Sequence, residues 1–183
     1  GNPGAQYAET RHNVGFLVLD RLAARHQITV SRGRHRALFG RGRVRGEECL
    51  LVKPQTFMNK SGVSVAEAVN FYKLDGSQVL VFYDELDLPP GKLRMRRDGG
   101  LAGHNGLRSI KAHMGADFRR ARLGIGHPGH KDRVTGYVLG NFAKAETDDL
   151  AHMLGAVAAE ATWLADGDDV RFMNDVAMRM QKD

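Results

Sequence analysis

The segment that most restricts the fold is a run of five apolar residues, Val79-Leu80-Val81-Phe82-Tyr83, which Asp84 follows directly. A short run that is apolar at every position is typical of a strand buried on both faces. Buried strands of this kind occur in layered α/β folds, where ligand sites form at the carboxyl ends of the strands. The sequence therefore predicts an α/β fold and places Asp84 at a ligand-binding edge of the sheet.

The rest of the chain mixes helix and strand patterns without an internal repeat or a linker. Strand patterns lie in three further places: two strands within 37–52, one at 92–97 and one at 122–126. Helical patterns begin at three predicted N-caps, which are Asn13, Ser61 and Thr147. Two further helices are predicted, one at 107–114 and one after Asp169. The pattern predicts one domain that spans residues 1–183.

The chain opens on Gly1-Asn2-Pro3-Gly4, which is a turn sequence with no element before it. A turn joins two elements of secondary structure. We therefore expect a strand upstream of Gly1, which is missing from this sequence.

Several classes of protein are excluded by the sequence. No stretch approaches the roughly 20 apolar residues of a membrane-spanning helix, and the N-terminal segment lacks the layout of a signal peptide. The single cysteine, Cys49, rules out an internal disulfide and favours a reducing compartment. A soluble cytoplasmic protein without a membrane partner is predicted.

Charge is divided unevenly along the chain. Residues 1–144 carry 24 Lys and Arg against 12 Asp and Glu, whereas residues 145–183 carry 3 against 9. A basic body attracts phosphate-bearing ligands, so this division favours a polyanionic partner. The alternative, that the uneven charge serves only to keep the protein soluble, stays open.

Small and polar side chains concentrate in four stretches that lie at predicted strand ends or helix starts. Functional loops cluster at such positions on a rigid scaffold. The stretches are Asn2-Pro3-Gly4 with Thr10-Arg11-His12-Asn13, Phe57-Met58-Asn59-Lys60-Ser61-Gly62, Asp84-Glu85-Leu86-Asp87-Leu88-Pro89-Pro90-Gly91, and Gly103-His104-Asn105-Gly106.

His12 and Asp84 form the strongest candidate for catalysis. If the fold brings them together, the carboxylate sets the imidazole tautomer, which is the arrangement of a general base. Alternatively, His12 only hydrogen-bonds the start of a helix, and Asp84 is a turn residue. A metal site at His127, His130 and Asp132 is less favoured than a turn, because Pro128-Gly129 interrupts it.

Together, in this order and spacing, the four stretches resemble the bacterial-type peptidyl-tRNA hydrolase family, and Gly-Ile-Gly-His-Pro-Gly at 124–129 adds to the likeness. Members hydrolyse the ester between a peptide and the terminal ribose of tRNA, which recycles tRNA from aborted translation. The resemblance implies a single α/β domain with a twisted mixed β-sheet flanked by helices on both faces. It also implies a monomer with neither metal nor cofactor, whose partner is peptidyl-tRNA.

The resemblance implies roles for individual residues. His12 is the base that activates water, Asp84 orients it, and Asn2 distinguishes blocked from free aminoacyl groups. The peptide and the tRNA end are received by Tyr7, Phe57, Asn59 and Asn105. Arg96 and Arg122 match the positions of a clamp on the tRNA phosphates. Charge alone suggests further phosphate contacts at Arg94, Lys111, Arg119 and Arg120.

Two other functions fit parts of the sequence. An RNA-binding protein that has lost catalysis explains the basic residues but has no need of His12, Asp84 and the asparagines. An esterase or aminopeptidase-like hydrolase of small substrates leaves the basic surface unexplained. The chain has neither a Gly-x-Ser-x-Gly elbow nor a Walker A motif, so a serine hydrolase and an NTPase have no signature here.

Overall fold

The computed structural model describes residues 1–181, and within them it contains six β-strands and seven α-helices. The strands are β1 (Arg32–Arg34), β2 (Ala37–Val44), β3 (Glu47–Pro54), β4 (Leu80–Glu85), β5 (Leu93–Arg96) and β6 (Arg119–Gly124). The helices are α1 (Val14–His26), α2 (Ser61–Phe71), α3 (Asn105–Met114), α4 (Val134–Val138), α5 (Thr147–Glu160), α6 (Thr162–Ala165) and α7 (Asp169–Met180).

Strand β4 is the predicted buried strand, and its two faces contact different hydrophobic clusters. Leu80 and Phe82 pack against the larger cluster, to which α1, α5 and α7 contribute buried side chains. Val81 and Tyr83 belong to the smaller cluster, which is built around α3. Because successive side chains of a strand point to opposite faces, one run of apolar residues supplies both clusters. The α/β class is confirmed, with helices on both faces of β4.

The described strands form two three-stranded sheets. In the first, β2 lies between β1 and β3, and all neighbours are antiparallel. The second is mixed, because β6 is parallel to β4 and antiparallel to β5. Strands β3 and β4 are not paired with each other, and both line a cavity of about 670 Å³ together with α1 and α2. The expected strand upstream of Gly1 stays a prediction.

Of the three predicted N-caps, Asn13 takes the N-cap position of α1 whereas Ser61 and Thr147 do not, and none of the three caps its helix through its side chain. Each helix is preceded by a 3₁₀ turn, and the hydroxyls of Ser61 and Thr147 donate to the carbonyl oxygen three residues earlier. The side chain of Asn13 instead bonds the backbone of Asn2. The predicted side-chain caps were wrong because polar side chains in a turn can satisfy the turn itself rather than the helix that follows.

Element boundaries differ from the predicted ones where charged residues hide the pattern. Strand β6 begins at Arg119, three residues before the predicted start, because its first arginines are buried by specific partners. The sequence Arg-Gly-Arg of β1 has no apolar alternation, so no strand was predicted there. None of the helices within residues 1–181 combines the length and the apolarity that crossing a bilayer requires.

Candidate active site

Asp84 is the penultimate residue of β4 and lies between two histidines, with 4% of its surface exposed. His12, in the 3₁₀ turn before α1, places Nδ1 3.0 Å from Oδ1 and 2.8 Å from Oδ2 of the carboxylate. His104, which caps α3, places Nε2 2.9 Å from Oδ1. The two ring centroids are 4.9 Å apart. The predicted pair is present, and we refer to these three residues as the His–Asp–His cluster.

The hydrogen bonds set where the ring protons lie. Nδ1 of His104 accepts the backbone N–H of Leu107 at 3.2 Å, so the ring proton of His104 is on Nε2 and is donated to Asp84. His12 has Nδ1 against the same carboxylate, which has only acceptors to offer. His12 therefore carries its proton on Nδ1, and its Nε2 is left with a lone pair that can take a proton from water.

Asp84 is held in its charged form. Burial alone would raise the pKa of this carboxyl, but interactions with His104 and then His12 outweigh burial and lower the pKa from 3.8 to about 2. Two N–H donors on one carboxylate favour the ionised state, because they bond to it more strongly than to the neutral acid. At neutral pH the cluster therefore contains a fixed negative charge beneath the His12 ring.

Arg11 anchors the turn that carries His12. Its Nη1 donates to the carbonyl oxygen of Asn141 at 2.6 Å, and its Nη2 lies 2.7 Å from Oε2 of Glu146. The guanidinium also stacks on Tyr137, with 4.3 Å between Cζ and the ring centroid. The turn before α1 is thus fixed to the segment that leads into α5, and the orientation of the neighbouring His12 is fixed with it.

Asn2 is buried with one side of its amide committed. Its Oδ1 accepts the backbone N–H of Met58 at 2.7 Å, and its own backbone exchanges hydrogen bonds with the side chain of Asn13. Because Oδ1 is occupied, the orientation of the amide is set and Nδ2 is presented as a donor. The predicted specificity residue therefore has the geometry of a fixed hydrogen-bond donor.

Gly106 lets the 3₁₀ turn before α2 pack closely on the start of α3, and the predicted asparagines lie where these two segments meet. A Cβ atom at this position would lie 2.5 Å from Sδ of Met58 and 3.0 Å from Cε1 of His104. The 3₁₀ turn at Met58 therefore packs directly on the start of α3. Asn59 and Asn105, which adjoin the two contacting residues in sequence, are both exposed at this junction.

Phe57 and Tyr7 lie beside these turns. Phe57 precedes Met58 and is 59% exposed, which is unusual for a large apolar side chain. Tyr7 is half-buried in the 3₁₀ turn Ala5–Tyr7, and its carbonyl oxygen accepts the hydroxyl of Thr10 at 2.9 Å. Their roles in receiving substrate stay predictions.

The two predicted clamp residues lie on one face of the second sheet. Arg122 on β6 donates Nε to Oε2 of Glu85 at 3.1 Å, and Tyr83 donates its hydroxyl to the same oxygen at 2.9 Å. Burial and then Glu85 raise the pKa of Tyr83, so this phenol stays a donor. The register of β5 on β6 puts Arg96 on the same face, where it is exposed.

Two of the arginines proposed from charge alone are unavailable to phosphate. Arg119 pairs with Asp169 on α7, and Arg120 is 1% exposed and bonds the carbonyl oxygens of Asp98 and Gly100. Charge counting could not separate these structural arginines from exposed ones, because burial depends on contacts between distant segments. Arg94 and Lys111 are exposed, as a phosphate contact requires.

The weaker metal candidate does not assemble among residues 1–181. His130 and Asp132 are exposed, with 3.5 Å between Nδ1 and Oδ2, and His127 accepts a backbone N–H within the same turn. The ligand atoms of the His–Asp–His cluster do lie within 4.8 Å of one another. Two imidazoles and a carboxylate are a set that zinc or iron accepts. The expectation of a metal-free site stays a prediction.

Four residues of the site have no assigned role in the sequence reasoning: His104, Arg11, Met58 and Glu85. His104 stands in one of the four polar stretches, so its position was marked as functional. Its hydrogen bond to Asp84 could not be predicted from the sequence. Arg11, Met58 and Glu85 act by supporting a neighbour. Their contacts join segments that are far apart in sequence, which motif spacing does not reveal.

Comparison with known proteins shows to which family the chain is similar. The family model described as "Peptidyl-tRNA hydrolase" matches residues 1–183. The peptidyl-tRNA hydrolase of Erythrobacter litoralis is 59% identical over 181 residues, which cover 99% of this chain and 96% of the relative. That of Rhizorhabdus wittichii is 58% identical over 180 residues, which cover 98% of this chain and 95% of the relative.

A solved structure has the same fold. The crystal structure of peptidyl-tRNA hydrolase from Acinetobacter baumannii superimposes with a TM-score of 0.91 at 40% identity, covering 96% of this chain and 90% of that one. The family-model match and the high-identity relatives each extend over nearly the full chain. The chain therefore belongs to the peptidyl-tRNA hydrolase family.

Proposed function

We propose that the protein hydrolyses the ester bond between an N-blocked aminoacyl or peptidyl group and the terminal ribose of tRNA. The observation that carries this proposal is the His–Asp–His cluster. Three of its four ring nitrogens form hydrogen bonds within residues 1–181, and the fourth, Nε2 of His12, is left to act on water. Ester hydrolysis at neutral pH needs a base of this kind, held in one tautomer beside a buried negative charge.

In the proposed mechanism, Nε2 of His12 removes a proton from water as the oxygen attacks the ester carbonyl. The charged imidazole is stabilised by Asp84, whose carboxylate stays ionised throughout. Collapse of the tetrahedral intermediate breaks the ester bond, and the proton returns from His12 to the departing ribose oxygen. The products are the free carboxylic acid of the peptide and intact tRNA, and the base is regenerated.

The carbonyl oxygen needs hydrogen-bond donors as negative charge builds on it. Asn59 and Asn105 are neutral amides that can donate without altering the charge at His12. One donor of this type lowers the barrier by roughly 3–4 kcal/mol. The first N–H groups of α3 offer a second source, since only those of Leu107 and Arg108 are taken by His104.

Asn2 provides the proposed selection of substrate. A peptidyl group presents an amide carbonyl to Nδ2, whereas a free aminoacyl group presents an ammonium, which leaves the amide donor facing a cation. A site built to hydrogen-bond one substrate group rejects an analogue without it by several orders of magnitude. The buried hydrogen bond from Met58 keeps the amide from turning its oxygen outward instead.

We further infer a partner and a setting from this chemistry. The substrate is peptidyl-tRNA, with phosphates clamped by Arg96 and Arg122, and the protein acts as a cytoplasmic monomer. Arg96 is exposed, and the Nε hydrogen bond to Glu85 fixes the plane of the Arg122 guanidinium. A planar guanidinium held in this way suits phosphate oxygens.

The test is hydrolysis by the wild-type protein of three substrates: N-acetylaminoacyl-tRNA, the same tRNA with a free aminoacyl group, and a short aryl ester. The proposal predicts rapid release from the first, release slower by orders of magnitude from the second, and little turnover of the third. Equal turnover of the short ester would favour the small-substrate hydrolase. Tight tRNA binding without release would favour an RNA-binding protein.

A further inference from the structure

The first sheet carries arginines on one face, whereas the predicted clamp lies on the second sheet. The register pairs Arg32 with Phe39 and Arg34 with Ala37, so these arginines project from the same face as their partners. Arg41 and Arg43 follow on β2 at the alternate positions of that face. All four are exposed. We call Arg32, Arg34, Arg41 and Arg43 the arginine face.

Three of the four members of the arginine face keep an uncompensated charge. Arg41 pairs with Glu48 at 3.0 Å, whereas Arg43 donates to the neutral carbonyl oxygen of Gly46. No carboxylate within residues 1–181 forms an ion pair with Arg32, Arg34 or Arg43. Two of the three uncompensated charges, those of Arg32 and Arg34, lie on β1 at the edge of the sheet.

An exposed aromatic ring adjoins this uncompensated charge. Cζ of Arg34 lies 4.2 Å from the centroid of Phe71, which ends α2 and is 52% exposed. An exposed phenyl ring next to cationic side chains is the arrangement by which proteins stack a nucleic-acid base beside its phosphate. About half of the ring faces solvent, where a base can reach it.

The turn that joins β1 to β2 is held in a costly conformation. Its two residues, His35 and Arg36, both have φ of 54°, a region that such turns normally fill with asparagine and glycine. Packing compensates for this cost, because the His35 ring lies 5.0 Å from that of Phe71 and Ser64 donates to the His35 carbonyl at 2.7 Å. Backbone strain of this kind is kept where geometry matters.

The same turn touches the segment that leads to the candidate active site. The backbone N–H of Gln55 donates to the carbonyl oxygen of Arg36 at 2.8 Å, and Phe57 follows two residues later. The turn therefore contacts both the segment that carries Phe57 and, through His35, the ring of Phe71. This places the arginine face next to the segment that leads to the candidate active site.

We propose that the arginine face and Phe71 form a second contact surface for the RNA of the substrate, in which Arg32 and Arg34 bind phosphates and Phe71 stacks on a base. This inference rests on the proposed function, since the RNA is that of peptidyl-tRNA. An RNA fits better than the peptide portion, because phosphates recur along every tRNA whereas peptides share no fixed charge.

The test compares the double variant Arg32→Gln/Arg34→Gln with the wild type on two substrates. One is full-length N-acetylaminoacyl-tRNA, and the other is the same group on a trinucleotide that carries only the tRNA 3′ end. Arg171→Gln is the matched control, since Arg171 is also exposed and stacks on an aromatic ring, with 3.6 Å to the centroid of Trp163. Circular dichroism checks the fold of each variant.

The proposal predicts that the double variant raises KM and the Kd for full-length tRNA about tenfold, with kcat unchanged. It also predicts that the dependence of log Kd on log salt becomes shallower by roughly 1.5, the value for two lost phosphate contacts. Hydrolysis of the trinucleotide substrate stays at the wild-type level, and Arg171→Gln behaves as wild type on both substrates.

Three results would overturn the inference. They are an unchanged Kd and salt slope, an equal loss on the trinucleotide substrate, or the same loss in the Arg171→Gln control. Should the double variant misfold, the single variant Arg32→Gln tests the same claim, because Arg32 lies at an exposed edge outside the Phe71 stack. Failure of the proposed function is distinct, since the wild type would then hydrolyse neither substrate.

Discussion

At the scale of single residues, the proposed mechanism depends on where protons lie around Asp84. Both histidines donate to this carboxylate, and an amide in its place would turn an N–H group toward one of the two donors. Relief of that clash requires His12 to move its proton to Nε2, where it can no longer accept one from water. We expect Asp84→Asn to lower kcat by about 100-fold or more with the fold retained. A rate within a few-fold of wild type would contradict the tautomer assignment.

The same carboxylate links stability to pH. Its pKa falls from 3.8 to about 2 on folding, so the unfolded chain binds more protons between these values. The stabilisation is complete above about pH 5 and is lost as the pH falls toward 2, amounting to about 2 kcal/mol. Urea unfolding at pH 5 and pH 2.5 should show a steeper loss in the wild type than in Asp84→Asn. Parallel losses would argue against this linkage.

Substrate selection has its own single-residue test at Asn2. Asn2→Asp keeps an oxygen for the Met58 N–H but replaces the outward donor by a negative oxygen, which attracts a free ammonium. We expect the preference for N-acetylaminoacyl-tRNA over free aminoacyl-tRNA to fall by about 100-fold. Asn2→Ala is the companion variant, and it also destabilises the fold by about 1–3 kcal/mol because the Met58 N–H loses its acceptor. Unchanged selectivity in the aspartate variant would remove Asn2 from this role.

How far sequence predicts the site differs between residues. The position of Asp84 could be predicted because it directly follows a wholly apolar run, which marks the end of a buried strand. His12 could be predicted as functional because it is a titratable residue within a turn sequence. His104 requires knowledge that α3 and β4 converge, and Arg120 becomes structural only through carbonyl oxygens of a loop more than fifteen residues away. Contacts between distant segments are the information that local pattern lacks.

At the scale of elements, the approach of α2 to α3 depends on Gly62. A Cβ atom there would lie 2.1 Å from the carbonyl oxygen of Ser109, so the helices must separate to accept one. We expect Gly62→Ala to destabilise the protein by about 1–3 kcal/mol in urea unfolding. Gly155→Ala on α5 is the control, because nothing lies within 4 Å of its Cβ position. That change should stabilise by roughly 0.5–1 kcal/mol, and a loss of stability there would contradict the packing argument.

Element prediction succeeded where apolar periodicity is strong and failed where polar residues are buried. The helices α1 and α2 and the strands β2 and β3 lie within a few residues of their predicted bounds. The predicted caps failed because three 3₁₀ turns intervene, and such turns use the same serine, threonine and asparagine residues that cap helices. The β2–β3 hairpin has a local signal in its Arg45-Gly46 turn, but the pairing of β4 and β5 with β6 joins distant segments and has none.

At the scale of the whole molecule, the division of charge along the sequence is partly cancelled by folding. Acidic residues of the C-terminal segment pair with arginines of the basic body: Glu146 with Arg11, Asp166 with Arg45, and Asp169 with Arg119. Charge counting therefore overstated the free positive charge of residues 1–144. Arg32, Arg34 and Arg96, to which proposed tRNA contacts are assigned, are among the arginines that stay exposed.

We propose His12 as the base of an ester hydrolase that acts on peptidyl-tRNA, and one assay tests this assignment. It measures the release of labelled N-acetylaminoacyl groups from tRNA by the wild type and by His12→Ala, with folding matched by circular dichroism. We expect turnover by the wild type and a kcat lower by about 10²–10⁴-fold in the variant. A wild type that binds tRNA without releasing label, or a variant whose kcat stays within a few-fold of the wild-type value, would refute the assignment.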